Sequence, residues 1–139
     1  MEIYHDADAN LSLLEGRTIA VIGYGNQGRS QALNLRDSGL DVLIGNRDDD
    51  YAQQARDDGF AVLSIDRAAA EADVVLLLIP DEVAPDVFGR AIGPHLDAGD
   101  VLVFSSGYNI AFDCLTPPPE FAVVLVAPRM IGAGARDLF

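Results

Sequence analysis

Gly23, Gly25 and Gly28 stand at the spacing G-x-G-x-x-G, behind an apolar β-branched run ending at Ile22 and ahead of a helical pattern. That arrangement suits the binding of a dinucleotide pyrophosphate. Gly23 allows a tight turn off a strand, Gly25 lets the phosphates approach the backbone, and Gly28 lets helix and strand pack closely. The unpaired N–H groups and positive dipole end of the helix then face the phosphates. Tyr24, Asn26 and Gln27 complete this candidate cofactor site. The same glycines would serve as an ordinary turn in some other α/β domain; the strand before them and the helix after them favour the dinucleotide.

A second group of residues bears on which dinucleotide binds. The adenosine ribose of such a site lies at the end of the second strand, here Leu43 to Arg47. Arg47 can stack on adenine or accommodate a 2′-phosphate. The loop that follows is Asp48-Asp49-Asp50-Tyr51. A carboxylate such as Asp50 accepts hydrogen bonds from a free 2′-OH and repels a phosphate, so NADH is expected over NADPH. Alternatively, the three aspartates cap the second helix and point into solvent.

The remaining candidates are sparser. Asp81-Glu82 after Pro80 suits a helix N-terminus. Ser106 is an ordinary loop hydroxyl or a proton-transfer group, and a lone serine has no useful pKa near neutrality. Arg129 is a surface charge or a bidentate partner for a carboxylate or phosphate, and it cannot titrate. Cys114 has no histidine near it in sequence and is expected in the core. His5 and His95 are expected at the surface. Glu2, Asp6 and Asp8 lie along a polar tail without metal-ligand spacing, and no metal site is assigned.

These residues need a scaffold. Strands are expected at Thr18 to Ile22, Asp41 to Gly45, Phe60 to Leu63, Asp73 to Ile79, Val101 to Phe104 and Ala122 to Val126. Helices are expected from Asn26 to Asp37, burying Ala32, Leu33 and Leu35, from Tyr51 to Asp58, and from an Asp66 cap to Glu71. Another runs from about Asp81 to near Leu96, with Pro85 in its first turn. Gly39 and Gly59 close the first two. Alternation with short connections predicts an α/β, Rossmann-type doubly wound parallel sheet with helices on both faces. Residues 1–139 then form one domain with a polar lead-in over 1–16. The loops after Ile22, Gly45, Ile79, Phe104 and Val126 should line one crevice.

Composition narrows the function classes. The 139 residues carry a net charge of −13 and contain no lysine, so a nucleic-acid surface is excluded. The longest apolar run is far too short to span a bilayer, and no secretory signal is visible. A single cysteine fits a reducing cytoplasm. Assembly into a homo-oligomer stays open.

Several stretches together resemble the ketol-acid reductoisomerases: YHDADANLSLLEG from Tyr4, IAVIGYGNQG, QALNLRDSG, LLLIPDEVAPDVF from Leu76, GYNIAF from Gly107, and TPPPEFAVVLVAPR ending at Arg129. The resemblance covers almost the whole chain. It implies a nicotinamide-binding domain of an enzyme that isomerises and reduces acetolactate-type 2-keto and 2-hydroxy acids in branched-chain amino-acid synthesis. It places Pro80, Asp81 and Glu82 beside the cofactor ribose and Gly107 in the cofactor site. Ser106 stands where the family carries a histidine, and Ala111 replaces a second one. The family's Ala-Pro-Lys-Gly-Pro-Gly-His turn reads Ala127-Pro128-Arg129-Met130-Ile131-Gly132-Ala133 here. NADPH-using members follow the arginine of the second strand with serines, which the Asp48–Asp50 loop lacks. The acidic magnesium ligands of the family lie in a helical domain beyond Phe139, so these residues alone are expected not to turn over acetolactate. A non-catalytic dinucleotide-binding or partner-docking module is the alternative. Without its partner domain the chain should expose apolar surface from Met130 to Phe139.

Overall fold

The computed structural model describes residues 3, 5 and 8–139. Tyr4, which begins the family-like stretch, and Glu2 and Asp6, weighed as metal ligands, lie outside the described residues. Six strands form one sheet: β1 Thr18–Ile22, β2 Asp41–Gly45, β3 Ala61–Leu63, β4 Val74–Leu77, β5 Val101–Phe104 and β6 Ala122–Leu125. They lie in the order β3-β2-β1-β4-β5-β6, and every neighbouring pair is parallel. The order reverses between β1 and β4, which opens the crevice expected of a doubly wound sheet.

The two faces follow from strand periodicity. On β1, Ile19 and Val21 point to one side and Ala20 and Ile22 to the other, and all four are buried. The first side packs against α1 (Asn26–Asp37) and α2 (Asp50–Asp57) through Ala32, Leu33, Ala55 and Phe60. The second packs against α3 (Ile65–Ala70) and α4 (Ala84–Val87) through Ala68, Ala69, Ala84 and Phe88. Unbroken apolar strands such as Val74–Leu77 are what burial on both faces requires. Two short helices, α5 (Tyr108–Ala111) and α6 (Gly132–Asp137), complete the fold, and α6 lies on α1.

Some expectations change. The stretch after Pro80 is not one helix: α4 gives way to a π-type turn over Phe88–Ile92 and a 3-10 turn over Gly93–His95. Pro94 has no N–H and its ring clashes with the preceding turn, so the regular ladder cannot continue. Ser64, not Asp66, holds the cap position of α3, and Asp66 sits in the first turn. Hydrogen-bonded strand geometry in β4 ends at Leu77, although the Leu78 N–H still donates to Ile22 O at 2.9 Å. Leu35 is only partly buried. Cys114 is exposed rather than in the core: it ends an exposed stretch over 110–114, and Leu115 immediately after it is buried. Apolar side chains at Met130, Ile131, Leu138 and Phe139 are exposed, in line with the expectation for that segment, and so are Val123, Val124 and Leu125 on the edge strand β6. Among the described residues no helix is long and apolar enough to cross a membrane.

Candidate functional site

The turn from β1 into α1 is built by steric necessity. Gly23 has a φ of 94°, and a Cβ there would lie 2.7 Å from Ile79 Cγ2 and 2.8 Å from the Leu78 carbonyl oxygen. A Cβ on Gly28 would overlap the Gly23 carbonyl, so the helix can lie this close to the strand only with glycine. Gly25 differs from both, because a Cβ there would meet no protein atom within 4 Å. Its open side faces solvent at the α1 N-terminus. Gly25 is the N-cap and offers no side chain to the first amides of α1, and the Asn26 side chain is turned away to accept the Gly132 N–H at 2.6 Å. The result is a cradle of unpaired N–H groups at a positive helix end, which fits a pyrophosphate. Gln27 reaches over it, donating from Nε2 to the Met130 carbonyl at 3.0 Å.

The Tyr24 side chain takes no part in the cradle. Its ring is buried against Phe60 and its hydroxyl donates to Asp58 at 2.9 Å, so only its backbone borders the crevice. Arg29 binds the same carboxylate through Nε and Nη2 at 2.7 and 3.1 Å. That guanidinium holds the Asp58 carboxyl below the usual carboxylate range. Burial, reinforced by the anionic Asp58, pushes the Tyr24 phenol well above its ordinary value. This network ties the start of α1 to the end of α2.

At the end of β2, Asn46 organises the loop. Its Oδ1 accepts the Tyr24 N–H at 3.3 Å, and its Nδ2 donates to Asp49 Oδ1 at 2.9 Å. Asp49 caps α2, accepting the N–H groups of Tyr51 and Ala52. Its other oxygen takes Arg47 Nε at 2.6 Å. The Arg47 guanidinium lowers the Asp49 pKa, and the carboxylate raises that of Arg47. Arg56 pairs with Asp48 across the same hollow, which Ser64 and Ile65 close from below. Asp50, singled out from sequence, is exposed in the first turn of α2 and makes no bond to Arg47. The carboxylate that engages the arginine is Asp49.

On the other side of the switch point, the ends of β4 and β5 enclose a cleft of about 220 Å³, lined by residues that include Gln27, Pro80, Asp81, Ser105, Ser106 and Asn109. Ser106 Oγ donates to Asp81 Oδ2 at 2.9 Å and accepts the Tyr108 N–H at 3.3 Å. Asn109, 2 % exposed, donates to the Asp81 carbonyl and carboxylate. Asn109 was not singled out from sequence. Its signal was a lone amide following an apolar strand within the family-like GYNIAF stretch. Gly107 is the N-cap of α5 at the cleft's edge, and Glu82 and Pro80 are exposed beside it. Arg129 is exposed and forms no ion pair among the described residues. Among those residues no group of three or more histidine, cysteine or acidic side chains could hold a metal ion.

The sequence and fold have close counterparts among known proteins. The model for the acetohydroxy acid isomeroreductase NADPH-binding domain matches residues 13–139. The chain belongs to this family. A ketol-acid reductoisomerase (NADP(+)) of Pyrobaculum calidifontis is 52% identical, an alignment covering 99% of this chain and 42% of that protein. The structure of an NADH-preferring ketol-acid reductoisomerase from an uncultured archean superposes with a TM-score of 0.96 at 45% identity, covering 99% of this chain and 43% of the other. A Mycobacterium tuberculosis 3-hydroxyisobutyrate dehydrogenase matches at a TM-score of 0.72 and 24% identity, over 87% of this chain and 43% of that one, which shows the shared fold alone. The chain thus spans about two fifths of the length of the reductoisomerases it resembles. What it shares with them is a six-stranded parallel Rossmann-like sheet.

Proposed function

We propose that residues 1–139 form one NAD(P)H-binding domain of a ketol-acid reductoisomerase-type oxidoreductase acting on acetolactate-like 2-keto and 2-hydroxy acids, with NADH as the preferred cofactor. The observation that carries the binding role is the open side of Gly25 above the unpaired amides of α1, where a pyrophosphate fits and a side chain would not intrude on protein. The cofactor, when bound, supplies hydride. The chain's own part is to hold its phosphates on Gly25, Asn26, Gln27 and Gly28 and to hold its nicotinamide ribose beside Pro80, Asp81 and Glu82. Gly107 closes that end, and the exposed Arg129 is available to a substrate carboxylate. Ser106 donates its hydroxyl hydrogen bond to Asp81 and orients that carboxylate rather than transferring a proton.

Two named relatives differ in cofactor, one described as an NADP(+) enzyme and the other as NADH-preferring. The loop after β2 favours NADH, since Asp49 already neutralises Arg47 and places an anion where a 2′-phosphate would lie. Magnesium chemistry is not assigned to these residues, because among the described residues no three acidic, histidine or cysteine side chains converge on one point.

The test is a titration with NADH and NADPH together with an acetolactate and magnesium assay. Residues 1–139 should bind NADH and give no turnover, whereas the protein extended by a helical, carboxylate-rich domain should reduce acetolactate. Failure of these residues to bind either cofactor would overturn the binding role. The commitment of the Ser106 proton to Asp81 favours one second reading, a dinucleotide-binding module without catalysis, which predicts binding but no turnover in any longer form.

A further inference from the structure

The cleft at the ends of β4 and β5 contains two adjacent hydroxyls, and their protons point to different tasks. Ser106 donates its only proton to Asp81 and also accepts from the Tyr108 N–H. Ser105 is wired the opposite way. The Met130 carbonyl can only accept, so the Gln27 amide must present Nε2 to it and Oε1 to its other neighbour. Gln31 must then offer Nε2 to Gln27 Oε1, at 3.1 Å, and the same Nε2 donates to Ser105 Oγ at 3.3 Å. The chain of bonds therefore has one direction, fixed by a carbonyl that cannot flip. Ser105 Oγ accepts a hydrogen bond from Gln31, and its own O–H has no acceptor among the described residues. It lines the cleft and is only partly buried.

We propose that Ser105 is the cleft's hydroxyl donor and binds the carboxamide oxygen of the nicotinamide ring, with Gln27 and Gln31 as positioning residues that set its polarity. The reading rests on the dinucleotide role proposed above. With the phosphates on α1 and the adenosine at the end of β2, the other half of the cofactor falls on the β4 and β5 side of the switch point. Ribose hydroxyls can donate and so suit the Asp81 carboxylate. A carboxamide oxygen can only accept and requires a donor.

The experiment compares NADH, reduced thionicotinamide adenine dinucleotide and ADP-ribose on the full-length protein, wild type, Ser105→Ala and Gln31→Glu. Ser105→Ala should weaken NADH by roughly three- to tenfold, the worth of one net hydrogen bond. ADP-ribose, which lacks the ring, should bind unchanged, and the thio analogue, whose sulfur is a weak acceptor, should lose much less. Gln31→Glu offers Ser105 an acceptor, so its proton turns away from the cleft, and NADH should weaken by more than ADP-ribose, which feels only the altered contact with Gln27. Ser105→Thr should restore NADH binding. Equal losses for NADH and ADP-ribose would show that Ser105 only supports the fold. No loss for NADH, or the same loss for the thio analogue, would overturn the contact. Failure of ADP-ribose to bind the wild type would overturn the dinucleotide reading itself, and this assignment with it.

Discussion

Asn26 and Gly132 lock the C-terminal segment onto the phosphate cradle. Asn26 Oδ1 accepts the Gly132 N–H at 2.6 Å, and a Cβ on residue 132 would overlap the Asn26 carbonyl. The contact joins residues more than a hundred positions apart, and nearby Asn34 binds both the Ala135 carbonyl and Arg136. Gly132→Ala should therefore push α6 off α1 and disturb the first turn of α1 together. Overpacking of this kind costs about 1–3 kcal/mol. Thermal unfolding and ADP-ribose binding measured on the same samples should both weaken. A variant that loses stability yet binds ADP-ribose normally would show that the cradle does not depend on the C-terminal segment.

The glycines of the first turn should separate folding from binding. Gly28→Ala places a methyl group into the Gly23 carbonyl, and Gly23→Ala adds backbone strain to a clash with Leu78. Both should lower stability by several kcal/mol, on the order of 2–4. Gly25→Ala meets nothing within 4 Å and should unfold at nearly the wild-type temperature. Its methyl would project over the amides, so ADP-ribose affinity should fall about tenfold or more. Calorimetry with and without ligand distinguishes the cases. Unchanged binding by Gly25→Ala would show that the phosphates do not approach that residue.

The central strands β1 and β4 were legible in the sequence because burial on both faces demands unbroken apolar runs, and β6 was legible as an apolar run although its side chains are exposed. The cradle was legible because its three glycines have separate steric reasons, two of which the geometry displays directly. What did not show through was anything decided by contacts distant in sequence. The short α6 has no periodicity to detect, and Asn26, Asn34 and Arg136 hold it in place. In the aspartate triplet, composition alone could not tell which member faced Arg47. Capping geometry decides it, since the residue whose oxygen reaches the Tyr51 and Ala52 amides is the one turned back toward β2. Cys114 was misplaced because it lies in an exposed stretch over 110–114 whose apolar residues, Ile110 and Phe112 among them, read from sequence like core.

The Tyr24–Asp58–Arg29 network should shape both limbs of the pH–stability curve. Asp58 has a folded pKa below its unfolded value, so its stabilisation is complete above about pH 3.9 and disappears as the pH falls through the lowered value. Tyr24 has a folded pKa above its unfolded value, so its contribution is complete below about pH 10 and declines as the pH rises beyond it. Asp58→Asn should flatten the acid limb only in part, because Asp37, Asp49, Asp66 and Asp73 are also held low. Tyr24→Phe should flatten the alkaline limb and cost about 0.5–1.5 kcal/mol at neutral pH. Urea unfolding from pH 2 to 11 would check both, as would the absence of any alkaline change in Tyr24→Phe, which would place the titration elsewhere.

Cofactor preference should turn on Asp49 more than on Asp50. Asparagine at position 49 keeps an acceptor for the Tyr51 and Ala52 amides, so the α2 cap survives the substitution. It removes the charge that holds Arg47 at 2.6 Å and the anion that would face a 2′-phosphate. Both effects favour NADPH. Arg47 is largely exposed, so each part is modest, yet together they should shift the NADPH-to-NADH affinity ratio by about tenfold. Asp50→Ser removes a like charge without freeing the arginine, so its shift should be smaller. Arg47→Ala in the Asp49→Asn background should abolish most of the gain. Titrations at two ionic strengths are needed, because exposed charges are screened and the wild-type discrimination should shrink in high salt. Tighter binding of NADPH than NADH by the wild type at low salt would mean that Arg47 leaves Asp49 for the phosphate, and the assignment of NADH would fall.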